Sequence, residues 1–466
     1  MVGVIGDPEA SRFAYLSLYA LQHRGQEACG IISIDDDKKF LSHKSFGLVG
    51  EIFSKDQLDA LHGTQAIGHN RYATHGGRSV QNIQPFSFNT SIGPLAIAHN
   101  GNLTNSTRLR RELEAQGSIF QSTSDTEVFM HLLAKGSSDD LQERIVEAMS
   151  KVQGAYSLAL MGLGVLFAIR DPYGFRPLVI GKRKNAYIVV SETCALDLID
   201  AELVREVEPG EVVKITPQGI ESSLIVGGKK ERSAFCSFES IYFSRPDSKV
   251  YGQHVYGVRK KLGEELALED NVDADVVIAV PDSGVPMAIG YAAKAQLPFE
   301  VGLVRNHYVG RTFIEPNQAI RDFGVKLKLN PIRDVLYDKR VLVVDDSIVR
   351  GTTSTKIVRM IRNAGAKEVH MRIASPPITH SCYFGVDTPQ RENLLAAQYH
   401  IKEMCEFIGA DSLAFLSTEG LKKVLEDQSE QKYCMGCFGQ GYLEAVNDEI
   451  KEQPTDQADG PGLRYP

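Results

Sequence analysis

Two acids stand side by side at the end of an apolar run in VLVVDDSIVRGTTS, Val341 to Ser354. Asp345 and Asp346 close the run. A short loop with Ser347, Arg350 and Gly351 follows, and Thr352, Thr353 and Ser354 bring hydroxyls to the point where a helix should open, at Thr352 or Thr353. Main-chain N–H groups in such a loop, together with a helix N-terminus, make an anion site. Paired carboxylates beside it suit the hydroxyls of a sugar or a Mg²⁺ ion. The Gly-Lys-Ser/Thr ending of a Walker loop is missing. The bland alternative is an Asp-Asp turn that only caps a helix.

Other segments carry chemistry of the same kind. VPDSG, Val280 to Gly284, sits at the carboxyl end of a second predicted strand, where open α/β sheets place ligands. The stretch from Arg305 to Arg333 is long, polar and punctuated by Gly310, Pro316 and Gly324, and loops that long are functional lids or disordered. Nearer the start stand LQHRGQEACG, GHNRYATHG, AHNGNLTN and STSDTE. Taken singly, Arg71 could make a surface ion pair, Asn100–Gly101 a hairpin turn and Asp125 a helix cap. Cys434 and Cys437 form a C-x-x-C pair that could serve redox chemistry, zinc or neither.

These residues need two kinds of scaffold. Up to about residue 228, short β-branched runs alternate with glycine turns, which predicts stacked sheets with helices outside. Helices are expected from Ser11 to Gln22 and from Asp125 through TEVFMHLLA, the second with Ser124 or Asp125 as N-cap. IVGGKKERSAF reads as a boundary. Beyond it, ADVVIAVPDSG, KRVLVVDDSIVRGTTSTKIVRMIRNAGA and KEVHMRIASPP repeat a strand–loop–helix pattern that predicts a parallel sheet covered on both faces. The tail from 441 to 466 turns acidic and Pro/Gly-rich and is expected to be mobile.

Composition sets the outer limits. A chain of 466 residues predicts two or more domains. The net charge of -8 gives no general attraction to nucleic acid or anionic membrane, so phosphate binding must be local. No apolar run reaches the ~18 residues a membrane span needs, and no secretory signal is visible. Seven cysteines, an odd number without the spacing of a small disulfide framework, point to a cytosolic enzyme with thiols or a metal site.

The acidic pair with its hydroxyl-lined loop resembles the ribose-phosphate motif of type I phosphoribosyltransferases. VPDSG resembles their pyrophosphate loop, and the polar stretch their flexible loop. The four N-terminal strings, in their order, are similar to the glutaminase domain of amidophosphoribosyltransferases. The resemblance runs from GDPEA to MGCFGQGY. It implies an N-terminal-nucleophile αββα sandwich over 1–228 and a type I phosphoribosyltransferase domain over 229–440. The expected reaction takes ammonia from glutamine and joins it to 5-phosphoribosyl 1-pyrophosphate, giving 5-phosphoribosylamine, glutamate and pyrophosphate, the first step of purine synthesis. The resemblance puts the sugar phosphate on Asp345, Asp346, Ser347, Arg350, Gly351, Thr352, Thr353 and Ser354. Asp282, Ser283, Arg311 and Lys326 would meet the pyrophosphate, and one Mg²⁺ would lie near Ser283, Asp345 and Asp346. Arg71 would take the α-carboxylate of glutamine, Asp125 its ammonium, and Asn100 with the N–H of Gly101 an oxyanion. Arg24 and its QHRGQE neighbours look structural or interdomain.

The same resemblance implies a [4Fe-4S] cluster on Cys236, Cys382, Cys434 and Cys437, although four thiolates also suit zinc. Cys194 and Cys405 match no ligand position, and Cys29, well inside the domain and without a free amine, reads as an ordinary buried thiol. Relatives are homo-oligomers, a homotetramer among the possibilities, that respond to purine nucleotides. Arg305 and His307 replace residues of the usual Lys-Asn-Arg-Tyr pattern, which puts the nucleotide contacts in question. The family's nucleophile is a Cys that begins the mature chain, with the terminal amine as its base. Here Met1-Val2-Gly3-Val4-Ile5-Gly6 stands instead. One register puts Val2 at the Cys position. The preferred, gap-free register puts Cys-Gly just upstream of Met1. As written, the chain would not hydrolyse glutamine by the family route. Rival readings are an ammonia-dependent transferase with an inactive glutaminase, and a non-catalytic sensor of the activated sugar.

Overall fold

The computed structural model describes residues 1–72, 79–225, 233–270, 272–306, 328–426 and 432–442. They form two compact units. The first takes residues 1–235, the segment Cys382–Asp387 and Tyr442; the second takes Cys236–Ser381 and Thr388–Gly441.

The first unit holds two antiparallel sheets. Its strands are β1 (Val2–Ile5), β2 (Ala28–Ile34), β3 (Phe40–Phe46), β4 (Gln65–Arg71), β5 (Phe86–Thr90), β6 (Gly93–Leu103), β7 (Gly154–Gly162), β8 (Val165–Arg170), β9 (Val179–Arg183), β10 (Ala186–Val190), β11 (Glu202–Glu206), β12 (Glu211–Thr216) and β13 (Gly219–Leu224). One sheet runs β11-β9-β10-β1-β4-β2-β3 and the other β13-β12-β8-β7-β6-β5. Ile5, Ile32 and Ile67 of the first sheet pack on Ala96, Ala98, Ala159 and Ala168 of the second.

Helices cover both outer faces. Helix α1 (Ala10–Ala20) lays Ala14 and Leu18 on the β1 sheet. Helices α2 (Ser106–Ala115), α3 (Thr126–Lys135) and α4 (Leu141–Met149) lay Leu109, Phe129 and Ile145 on the other. The unit is therefore an αββα sandwich. Helix α1 stops at Ala20, short of the expected Gln22, and a 3₁₀ turn follows at Gln22–Arg24, where the Arg24 N–H bonds Leu21 O at 3.0 Å. The Asp125 side chain does not cap α3; the Ser124 hydroxyl accepts from the Thr126 N–H instead, at 3.3 Å.

The second unit carries a four-stranded parallel sheet in sequential order: β14 (Val276–Ala279), β15 (Arg340–Asp345), β16 (Glu368–Ile373) and β17 (Ser412–Phe415). Helices α5 (Val255–Glu269) and α6 (Val285–Ala295) pack together, and α6 covers β14 and β15. Helices α7 (Thr352–Asn363) and α8 (Ile401–Ile408) cover the other face, where Ile357, Ile361 and Met404 meet Val341, Val343 and Met371. Both faces of β15 are buried, which explains its unbroken apolar sequence. Among the described residues no helix is long and apolar enough to cross a membrane.

Candidate functional site

Parallel neighbours deliver their loops to one edge of a sheet. The Val280 N–H bonds Val344 O at 2.9 Å, so the turn at Pro281–Gly284 leaves β14 beside the end of β15. The peptide between Pro281 and Asp282 is cis. A Cβ on Gly284 would lie 2.6 Å from Val344 O, so only glycine lets the turn come this near. Ser283 thereby shares an edge with Asp345 and Asp346.

The acids are 7% and 5% exposed, respectively. The Asp346 N–H donates to Asp345 Oδ1 at 2.9 Å, and the Ser347 hydroxyl donates to the Asp346 carboxylate. Burial, and then the neighbouring Asp346 charge, push the Asp345 carboxyl well above the usual carboxylate range. The loop ends at Gly351, whose φ of +74° and contact with Leu395 and Phe407 both favour glycine. The helix opens at Thr352 as expected, with Ser354 buried and Thr352, Thr353 and Arg350 exposed. An Asp-Asp turn that only caps a helix does not fit, because neither Asp side chain caps α7. Asp282 is exposed and pairs with Arg305. Arg311, Lys326 and His307 lie outside the described residues.

The first unit gathers the other set. His69 Nε2 lies 2.9 Å from His99 O, tying β4 to β6 one residue before Asn100. Asn100 and Gly101 lie inside β6, opposite Ser157 and Tyr156 of β7, and are no hairpin turn. The Asn100 Nδ2 is buried and donates to nothing among the described residues. A Cβ on Gly101, at φ +152°, would meet Ala155 O at 2.1 Å. Asp125 is buried and accepts the Leu103 N–H at 2.9 Å, with His99 Nδ1 3.8 Å away. Burial keeps both histidines neutral by lowering their pKa values. Arg71 is 4% exposed and meets Glu27 at 3.0 Å, so it makes no surface ion pair. Burial, only partly offset by Glu27, lowers its pKa.

Three supports stand behind these residues, and the first, Glu27, lies in the QHRGQE string expected to be structural or interdomain. Glu27 holds Arg71 by its side chain, while its N–H bonds Arg71 O at 3.2 Å, so the QHRGQE string buttresses this arginine. Glu127 accepts the N–H groups of Gln121 and Ser122, both at 2.8 Å, which fixes the loop ahead of Asp125. The segment Cys382–Asp387 joins this unit from far along the chain. The capping-box spacing between Ser124 and Glu127 draws attention to Glu127, but no local pattern marks the place of Cys382–Asp387.

The thiols separate into groups. Cys29 is fully buried in β2, where burial pushes it up to about 12 and its Sγ faces Gly47 O. Cys194 is buried too, and Cys405 Sγ donates to Ala410 O at 3.3 Å. Around the other four, the Ser237 hydroxyl donates to Cys434 O at 2.7 Å, and the Thr379 and His380 N–H groups donate to Cys437 O at 3.0 and 3.2 Å. Among the described residues no three His, Cys, Asp or Glu side chains converge as metal ligands.

Comparison with known proteins agrees with this division. Residues 69–198 match a glutamine amidotransferase domain and residues 254–374 a phosphoribosyl transferase domain. The chain is 56% identical over 443 residues to a chloroplastic amidophosphoribosyltransferase of Arabidopsis thaliana, covering 95% of this chain and 78% of that one. It is 48% identical over 459 residues to the amidophosphoribosyltransferase of Bacillus subtilis, covering 97% and 96%. The solved glutamine phosphoribosylpyrophosphate amidotransferase of B. subtilis, complexed with ADP and GMP, superposes with a TM-score of 0.90 at 47% identity over 96% of this chain and 98% of that one. With both folds, both loop systems and this identity along almost its whole length, the chain belongs to the amidophosphoribosyltransferase family.

Proposed function

We propose that this enzyme, a glycosyltransferase, moves the amide nitrogen of glutamine onto 5-phosphoribosyl 1-pyrophosphate. The products are 5-phosphoribosylamine, glutamate and pyrophosphate, at the first step of purine synthesis. The carrying observation is the buried Asp345–Asp346 pair at the end of β15, beside the glycine-hinged loop that opens α7. The N–H groups of that loop, with Ser347, Thr352, Thr353 and Ser354, hold the 5-phosphate, and Arg350 adds charge. Asp345 and Asp346 hold the ribose hydroxyls. Asp282 and Ser283 face the pyrophosphate, with Arg311 and Lys326 as further contacts. Displacement at the sugar's C1 passes through an electron-poor centre, so clamping both ends and excluding water is what the protein must do.

One Mg²⁺ fits next to Ser283, Asp345 and Asp346. Two adjacent buried carboxylates, one with a strongly raised proton affinity, make a site suited to a cation. When bound, Mg²⁺ neutralises charge on the pyrophosphate leaving group. The soft donor set of Cys236, Cys382, Cys434 and Cys437 suits a structural [4Fe-4S] cluster. The hydrogen bonds of Ser237, Thr379 and His380 to the Cys434–Cys437 turn support that reading.

In the first unit Arg71 takes the glutamine carboxylate, Asp125 its ammonium, and Asn100 Nδ2 with the Gly101 N–H an oxyanion. The unsatisfied Asn100 amide is what such a site requires before substrate arrives. Register supports the position of the nucleophile. Strand β1 runs antiparallel to β4 with Val2 opposite Gly68. Were the strand continued upstream in that register, a Cys two residues before Met1 would fall opposite Arg71. We place the domain limits at 1–228 and 229–440, with a tail over 441–466 of which only two residues are described. Purine nucleotides, as bound by the B. subtilis relative, are proposed as feedback ligands, and the enzyme as a cytoplasmic homo-oligomer, a homotetramer in the simplest case.

Pyrophosphate release tests this reading with ammonia and with glutamine, on this chain and on one extended by Met-Cys-Gly. Ammonia should support both chains and glutamine only the extended one. Replacing Asp345 and Asp346 with alanine should abolish turnover with either nitrogen source. Unchanged turnover would remove the assignment.

A further inference from the structure

The segment Cys382–Asp387 lies within the first unit although the chain on both sides of it belongs to the second. Its neck is closed by the Ser381 hydroxyl, which donates to Pro389 O at 2.8 Å. Its contacts fall on the strand that carries Asn100 and Gly101. The Asn102 Nδ2 donates to Tyr383 O at 2.9 Å. A Cβ on Gly385, at φ +90°, would stand 2.7 Å from the Gly101 carbonyl carbon and 2.8 Å from its oxygen. Main chain therefore packs on main chain beside Gly101, with no side chain between.

A second line of contacts reaches the neighbouring strand opposite Asn100. Ser157, the cross-strand partner of Asn100, donates its hydroxyl to Arg176 O at 3.1 Å. Arg176, 1% exposed, donates its Nε to Phe384 O at 3.2 Å. The Phe384 ring stacks on Phe175 at 4.1 Å and 18°. Oxyanion donors are effective only when held before the charge develops. A strand tied both directly and through its neighbour supplies that rigidity.

We propose that the segment Tyr383–Gly385 is a positioning strap for the oxyanion donors, with Asn102 and Gly385 as its positioning residues. The proposal rests on the reading of Asn100 and Gly101 as those donors. The strap touches neither glutamine nor the nucleophile. It sets where the Gly101 N–H points, so its loss lowers the rate of the glutamine step and leaves glutamine binding at Arg71 and Asp125 in place.

Two measurements test this. In the chain extended by Met-Cys-Gly, Gly385→Ala and Asn102→Ala should each lower kcat with glutamine by roughly 10- to 100-fold. The KM for glutamine and the ammonia-dependent rate should stay within about twofold of the parent, and Asn102→Gln, which keeps an amide donor, should recover part of the loss. In the chain as it stands, hydrogen exchange should be about tenfold faster at Gly101–Leu103 in both alanine variants, with β14 and β15 unchanged. Equal kcat and equal exchange would overturn the strap, as would parallel losses in kcat, KM and the ammonia reaction, which mark general unfolding. If the unsubstituted extended chain fails with glutamine, the nucleophile reading falls, and the exchange result alone then decides for or against the strap.

Discussion

Glu127 shows how much one buried carboxylate can organise. Burial alone would raise its pKa, but the neighbouring His131, the Ser122 hydroxyl and the N–H groups of Gln121 and Ser122 outweigh burial and hold it at about 2, below its ordinary 4.5. A depressed carboxyl stabilises the fold above its unfolded pKa and loses that contribution as pH falls through the folded value. Glu127→Gln should therefore cost about 2 kcal/mol at neutral pH, with the gap to the parent closing between about pH 4.5 and pH 2. Urea unfolding of both proteins across that range checks the sign; a gap that widens in acid would contradict it. Asp125, two residues earlier, follows the loop that Glu127 pins, so glutamine affinity should weaken in the same variant. The sequence marks Glu127 as part of STSDTE and by its spacing from Ser124. Its partners lie within six residues, yet nothing in residue type says that the side chain turns back to the loop rather than out to solvent.

At the level of elements, the transferase site is two loops from adjacent parallel strands. Their closeness depends on Gly284, which leaves no room for a methyl group between its Cα and Val344 O. Gly284→Ala should cost about 1–3 kcal/mol in stability. It should also raise the KM for phosphoribosyl pyrophosphate roughly tenfold, because the turn can no longer reach the acidic pair. Urea unfolding and initial-rate kinetics with ammonia give the two readings, and unchanged kinetics would remove the turn from the site. These elements were well marked in the sequence. The apolar run of β15, its acidic end and the opening of α7 at Thr352 follow from local pattern, since a strand buried on both faces has one legible signature. The αββα sandwich was named from resemblance, because alternating strands alone leave the sheet order open. Of the two cap candidates, Ser124 accepts the Thr126 N–H, while Asp125 is drawn to the Leu103 N–H of another strand, a tertiary partner that no local spacing reveals.

For the whole molecule, the division into units does not follow a single cut. A break near residue 228 reads cleanly from composition, but it omits Cys382–Asp387, whose place in the first unit depends on contacts more than 200 residues apart in the chain. A fragment ending at residue 235 would lack the Phe384 ring stacked on Phe175. It should unfold at a lower urea concentration than the same unit in the full chain and should bind a hydrophobic dye that the full chain excludes. Appending residues 382–387 through a flexible linker should restore both. A bare fragment as stable as the intact unit would show that the segment adds nothing to this fold.

The late segment also bears on how the protein is made. When residue 235 leaves the ribosome, about 150 residues remain to be built before Asp387 emerges. At typical synthesis speeds that delay is roughly 8 to 30 s. During it the nascent N-terminal half waits without the ring that stacks on Phe175. Such an unfinished unit invites chaperones, and slow codons between those two points would lengthen the wait.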